Sequence, residues 1–273
     1  MVTVRHPAVA GLFYSADAQQ LTESIEQLLR VAQAHKSIPK ALIVPHAGYI
    51  YSGAVAASAY ATLYPFAQRI RHVILLGPAH RVAVRGLALP DVDAFATPLG
   101  TVMVDTVSIG KVAHLPQLTI NARAHVLEHS LEVQLPFLQS ILTDFSILPL
   151  VVGMASAEEV AAVLDCLWEG EETLIIISSD LSHYLPYGLA QREDNETALS
   201  ILQLRQFIDH KQACGATPIN GLIATVRKHQ LTPHLLDLRN SGDTAGSRDQ
   251  VVGYGAFAFA LSNLSSKSTG YGG

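Results

Sequence analysis

Residues 173–183, TLIIISSDLSH, decide the fold. From Thr173 to Ile177 the run is β-branched or apolar with no charge, which is how a strand covered on both faces reads. Such a strand needs helices on both sides of its sheet, so this stretch points to an α/β architecture. The run then breaks at Ser178-Ser179-Asp180 and places His183 just past its end.

The same arrangement recurs outward along the chain. Residues 41–44, ALIV, stop at Pro45 and are followed by His46-Ala47-Gly48. Residues 72–76, HVILL, stop at Gly77-Pro78 and are followed by Ala79-His80. Further strands are expected over 147–152 and 251–261, with shorter ones near 83–88 and 101–104. Helical spacing of Leu21, Ile25, Leu28 and Leu29 predicts a helix over 18–33. A small-residue helix is expected over 52–64, and an amphipathic one over 130–142 with Pro136 tolerated only in its first turns or at a kink. Ser156 and Glu159 have the spacing of a capping box at the start of a helix whose apolar face would bury Cys166. Helices over 192–209 and 218–229 complete the alternation. Together these predict one α/β domain over 1–262, with a mixed or mostly parallel central sheet and helices on both faces. Residues 263–273 are polar and glycine-rich and read as a disordered tail.

Composition narrows the function. A net charge of −5 with scattered Lys and Arg predicts no nucleic-acid groove. There is no run of 18 apolar residues and no apolar leader at the start, so neither a membrane span nor a signal peptide is expected. Two cysteines form no disulfide framework and fit a cytoplasmic protein.

Three strand ends each deliver a histidine, His46, His80 and His183, to the edge where ligands bind in open α/β sheets. Asp180, three residues before His183, either orients an imidazole or caps the next segment. Cys214, between Ala213 and Gly215, is either a metal-binding or nucleophilic thiol or a small core residue. Glu128-His129-Ser130 precedes a helix, so His129 either lines a site or caps that helix. The other histidines carry no spacing argument.

The strings VPHAGY at 44–49, LGPAH at 76–80, EHSLE at 128–132, SSDLSH at 178–183 and Cys214-Gly215 with Pro218-Ile219 resemble the Memo family. PAVAGLFY at 7–14 and TPLG at 97–100 match its bacterial and archaeal branch, and the resemblance runs from about residue 5 to 261. It implies a fold similar to the class III extradiol ring-cleaving dioxygenases. It also implies metal ligands His46, His80 and Cys214, the cysteine replacing a carboxylate. His183 matches the acid/base histidine and Asp180 its neighbour, with His129, Glu128 and Tyr49 around the metal or substrate. The cofactor so implied is Fe(II), with copper as the alternative and zinc a poorer fit. The function so implied is an O2-using oxidoreductase acting on a small chelating molecule. The alternative is a non-catalytic metal- or peptide-binding module in a pathway with a radical-SAM partner.

Overall fold

A computed structural model describes residues 2–32, 38–205 and 207–261. The tail expected at 263–273 lies outside them. The centre is four parallel strands in the order Ser146–Val152, His72–Pro78, Thr173–Ser178, Pro39–Val44, with Val251–Leu261 added antiparallel.

The side-chain period of two divides these strands between two cores. Ala41, Ile43, Ile74, Leu76, Ile175, Ile177, Phe257 and Phe259 face one way. They pack on helices Ala157–Cys166, Tyr187–Leu202 and Ala216–Lys228. Leu42, Val44, Val73, Leu75, Leu174, Ile176, Ala256 and Ala258 face the other way. They pack on Ala18–Val31, Tyr49–Tyr60 and Leu135–Ile141. The product is a single α/β domain with a mixed, largely parallel sheet flanked by helices.

Several local signals match their structures. Ser156 and Glu159 form the reciprocal capping box, and the Asp17 side chain accepts the Gln20 amide to start the first helix. The amphipathic segment at 130–142 is two helices, His129–Glu132 and Leu135–Ile141, with Pro136 in the opening turn of the second. Proline has no N–H to continue a helix from the preceding turn, so the break falls there.

Two expectations differ from the structure, and one strand was not expected. The helix expected over 192–209 runs from Tyr187 to Leu202, and Leu204 and Phe207 beyond it adopt left-handed φ of 52° and 105°. Cys166 ends its helix exposed, so it fills no core. Leu231–Asn240 is a long strand paired antiparallel with Val251–Leu261, although Pro233, Asp237 and Arg239 hide it in the sequence.

Register fixes where the site can form. Val44 lies opposite Ser178, Leu76 opposite Ile177, and Pro78 opposite Val152. The four parallel strands therefore end level, and the loops carrying His46, His80 and Asp180 leave from one edge.

Candidate metal centre

His46 is buried at the end of its strand. Its backbone amide donates to Asp180 Oδ1 at 2.7 Å, its Nδ1 lies 2.9 Å from Ser178 Oγ, and its Nε2 lies 3.3 Å from Cys214 Sγ. Burial, reinforced by the neighbouring histidines, pushes this imidazole well below its ordinary range, so the ring is neutral near pH 7.

His80 is held from behind by Glu128. Its amide donates to Glu128 Oε2 at 2.7 Å and its ring Nδ1 lies 2.9 Å from Oε1. Burial raises a carboxyl, but here donation from the His80 ring and amide and from the Ser130 amide outweighs it and brings Glu128 down to about 2. An ionised carboxylate only accepts, so the His80 ring donates to it through Nδ1, which leaves Nε2 as the nitrogen open to a metal.

His129 completes the group. One ligand atom from each of His46, His80 and His129 lies within 4.8 Å of the other two, a cluster able to hold a metal ion. The His129 ring stacks on His80 with centroids 4.7 Å apart, and Phe13 meets its edge at 4.9 Å. Burial lowers its pKa to about 4, and its Nδ1 has no hydrogen-bond partner among the described residues.

Close backbone packing brings these loops together. A Cβ on Gly77 would stand 2.6 Å from Ser130 Oγ, and one on Gly215 would stand 2.6 Å from Ser179 Cβ. Only glycine lets the strand end approach the His129 helix, and the Cys214 turn approach Ser179. Glu132 fastens the N-terminal segment over this region. It pairs with Arg5 and accepts the Ala8 and Val9 amides at 2.7 and 3.0 Å. That segment carries Phe13 to the His129 ring.

The remaining expected residues fall around this centre in different ways. The Cys214 sulfur, beside His46 Nε2, accepts the Asp180 amide at 3.3 Å. Burial, with Asp180 nearby, pushes its thiol up to about 12. Asp180 itself is buried and raised to about 7. It holds the His46 amide, whereas the His183 ring bonds to the Leu181 backbone. Asp180 thus holds the loop that carries His46, and no hydrogen bond joins it to the His183 ring among the described residues. Tyr49 is packed inside, its hydroxyl donating to the Val133 carbonyl at 2.8 Å.

Two of the clefts that reach the centre also take in His183. One of about 720 Å³ is lined by Phe13, Tyr51, Arg81, Tyr184 and Tyr254 around His46, His80, His129, Asp180 and His183. The other, about 680 Å³, reaches His80, His183 and Cys214 past Leu189 and Glu193. Phe13, Tyr51 and Tyr254 were not distinguishable as cleft residues from the sequence. Phe13 and Tyr51 stand in or beside the quoted motifs, which is the only signal they leave. No helix among the described residues is long and apolar enough to cross a membrane.

Known proteins share this sequence over nearly its whole length. The family described as Memo-like protein matches residues 5–258. A MEMO1 family protein of Aquifex aeolicus is 36% identical over 263 residues, covering 92% of this chain and 97% of its own. One of Metallosphaera sedula is 34% identical over 286 residues, covering 94% and 99%. Among solved structures, an uncharacterized protein of Escherichia coli K12 aligns with a TM-score of 0.48 at 15% identity, over 78% of this chain and 98% of that one. That likeness is too distant to carry an argument.

Proposed function

We propose, on the premise that this chain belongs to the Memo-like protein family, that it is a non-haem, metal-dependent oxidoreductase using O2 on a small chelating molecule. The observation that carries this reading is the His46, His80 and His129 cluster at the head of a cleft. The donors suit a redox-active divalent ion, because imidazoles serve iron and copper alike and a nearby thiol adds a soft, anionic donor. His46 and His80 would hold the ion. Cys214 lies where its sulfur can share an ion with His46 Nε2, as the family resemblance implies, and His129 faces the same point. Fe(II) is the ion we assign, copper is the alternative, and zinc fits less well because it lacks redox chemistry.

A redox ion held by His46 and His80 would supply O2 activation and polarisation of a chelating substrate's oxygens. The protein's own groups do the rest. Burial lowers the His183 pKa, so its ring is neutral near pH 7 and able to take a proton from a substrate hydroxyl. Asp180 keeps the His46 loop in place through the backbone amide. Phe13, Tyr51, Tyr184 and Tyr254 offer flat walls to a phenolic ring, and Arg81 stands at the cleft as its one Lys or Arg. On this reading the site would be extradiol-dioxygenase-like, with a cysteine in the carboxylate position, as the family resemblance implies.

The test is anaerobic reconstitution with Fe(II), followed by O2 uptake with catechol-type probes. Uptake above background that falls at least tenfold in His183→Ala supports the reading. Tight metal binding with no O2 consumption by any probe would replace it with the non-catalytic metal-binding module.

A further inference from the structure

A neutral histidine carries one proton, on Nδ1 or Nε2, and only the bare nitrogen can bind a metal. In His46, Nδ1 faces Ser178 Oγ in the core and Nε2 faces Cys214 at the centre. Which nitrogen is bare depends on what Ser178 can offer.

A serine hydroxyl has one proton and two lone pairs. The Ser178 proton goes to the Ser130 carbonyl at 2.6 Å. One lone pair accepts Gln134 Nε2 at 2.8 Å. The Gln134 amide is fixed in turn. Its Nε2 also donates to the Pro45 carbonyl at 3.0 Å, and its Oε1 accepts the Tyr60 hydroxyl at 2.8 Å. Turned over, the amide would set its oxygen against the Pro45 carbonyl, acceptor facing acceptor. Ser178 therefore has only acceptors left for His46, a hydroxyl lone pair at 2.9 Å and its backbone carbonyl, and either bond needs the proton on Nδ1.

We propose that Ser178 and Gln134 are positioning residues that lock His46 in its Nδ1–H tautomer and so present a bare Nε2 to the centre. Both are fully buried, and neither lines any of the clefts that reach the centre. Glu128 achieves the same end at His80 with a carboxylate in place of a hydroxyl. His129 Nδ1 makes no hydrogen bond and has only Glu128 Oε1 at 3.5 Å, so no contact of this kind fixes its tautomer. Outer partners of this kind typically change metal affinity by about 10- to 100-fold when removed.

The lock serves the metal-binding reading, but it belongs to the metal-free protein and is measured there. The experiment is a long-range proton–nitrogen correlation spectrum of the metal-free chain labelled with 15N-histidine, with His46 assigned by loss of its signals in His46→Gln. The expected wild-type pattern is a protonated Nδ1 and a bare Nε2. Ser178→Ala should shift the proton in part to Nε2, the backbone carbonyl at 178 keeping a share on Nδ1, and weaken cobalt(II) binding at least tenfold. Gln134→Met should give a mixture, because the serine hydroxyl becomes free to turn. Ser178→Thr should restore the wild-type pattern. A wild-type His46 protonated on Nε2 overturns the proposal even if the variants fail to fold. So does Ser178→Ala that keeps both the tautomer and the cobalt affinity. A wild-type Nδ1–H pattern in a protein that takes up no cobalt would leave the lock standing and overturn the metal reading instead.

Discussion

The Cys214 sulfur lies 3.3 Å from His46 Nε2 and accepts the Asp180 amide at the same distance. Burial and Asp180 keep this thiol protonated in the metal-free protein, up to about 12. A cation at the centre favours the thiolate, so metal uptake should expel that proton. Wild-type protein titrated with cobalt(II) is expected to release the proton and show thiolate-to-cobalt absorbance in the near ultraviolet. Cys214→Ala should lose both and bind at least tenfold more weakly. Identical titrations of the two proteins would remove Cys214 from the ligand set.

Glu128 ties the His80 ring and backbone to one carboxylate. Glu128→Gln keeps the shape but exchanges an acceptor oxygen for an amide group. Because such a partner is typically worth about 10- to 100-fold in metal affinity, a loss of that size is expected by competition against a chelator of known affinity. An unchanged affinity would mean that His80 needs no help to point at the ion.

The ligand-bearing loops depend on Gly215. Its added Cβ would meet Ser179 Cβ at 2.6 Å and the Ser178 carbonyl at 3.1 Å, both rigidly placed. Gly215→Ala is expected to cost about 1–3 kcal/mol, the usual range for overpacking. Urea unfolding measures it, and a loss under about 0.5 kcal/mol, the range of an ordinary surface change, would show that the turn gives way easily.

His125 makes a prediction independent of any metal. It is buried with its Nε2 on the Ala88 carbonyl, and burial outweighs that bond to bring its pKa to about 4 from 6.5. Between those values the folded chain holds fewer protons than the unfolded chain. Stability should therefore fall as pH drops from about 6.5 to about 4, by up to about 3 kcal/mol from this residue. Replacing it in His125→Gln should flatten that part of the stability–pH curve. A curve parallel to the wild type would show that His125 does not titrate abnormally.

Much of this was legible in the sequence because strand ends are local signals. Apolar runs closing at Pro45, Gly77-Pro78 and Ser178-Ser179 mark where His46, His80 and Asp180 leave the sheet. Their meeting is set by strand order, which no single run contains. His129 reads as ambiguous because its place beside His80 comes from a three-dimensional approach at Gly77. The hydrogen-bond partner of Asp180 was hidden for a similar reason. Three residues of spacing suggested His183, but the parallel register of Val44 with Ser178 brings it to His46 instead. Leu231–Asn240 escaped notice because its charged and proline positions suit a strand only half covered by its neighbours.

The central claim is that one ion sits between His46 and His80. Anomalous diffraction at the iron edge, from crystals loaded anaerobically with Fe(II), tests it most directly. The account predicts a single peak within bonding distance of both Nε2 atoms, with Cys214 or His129 as a further neighbour. No peak there, or one seated on another histidine such as His72 beside Asp105, would contradict it.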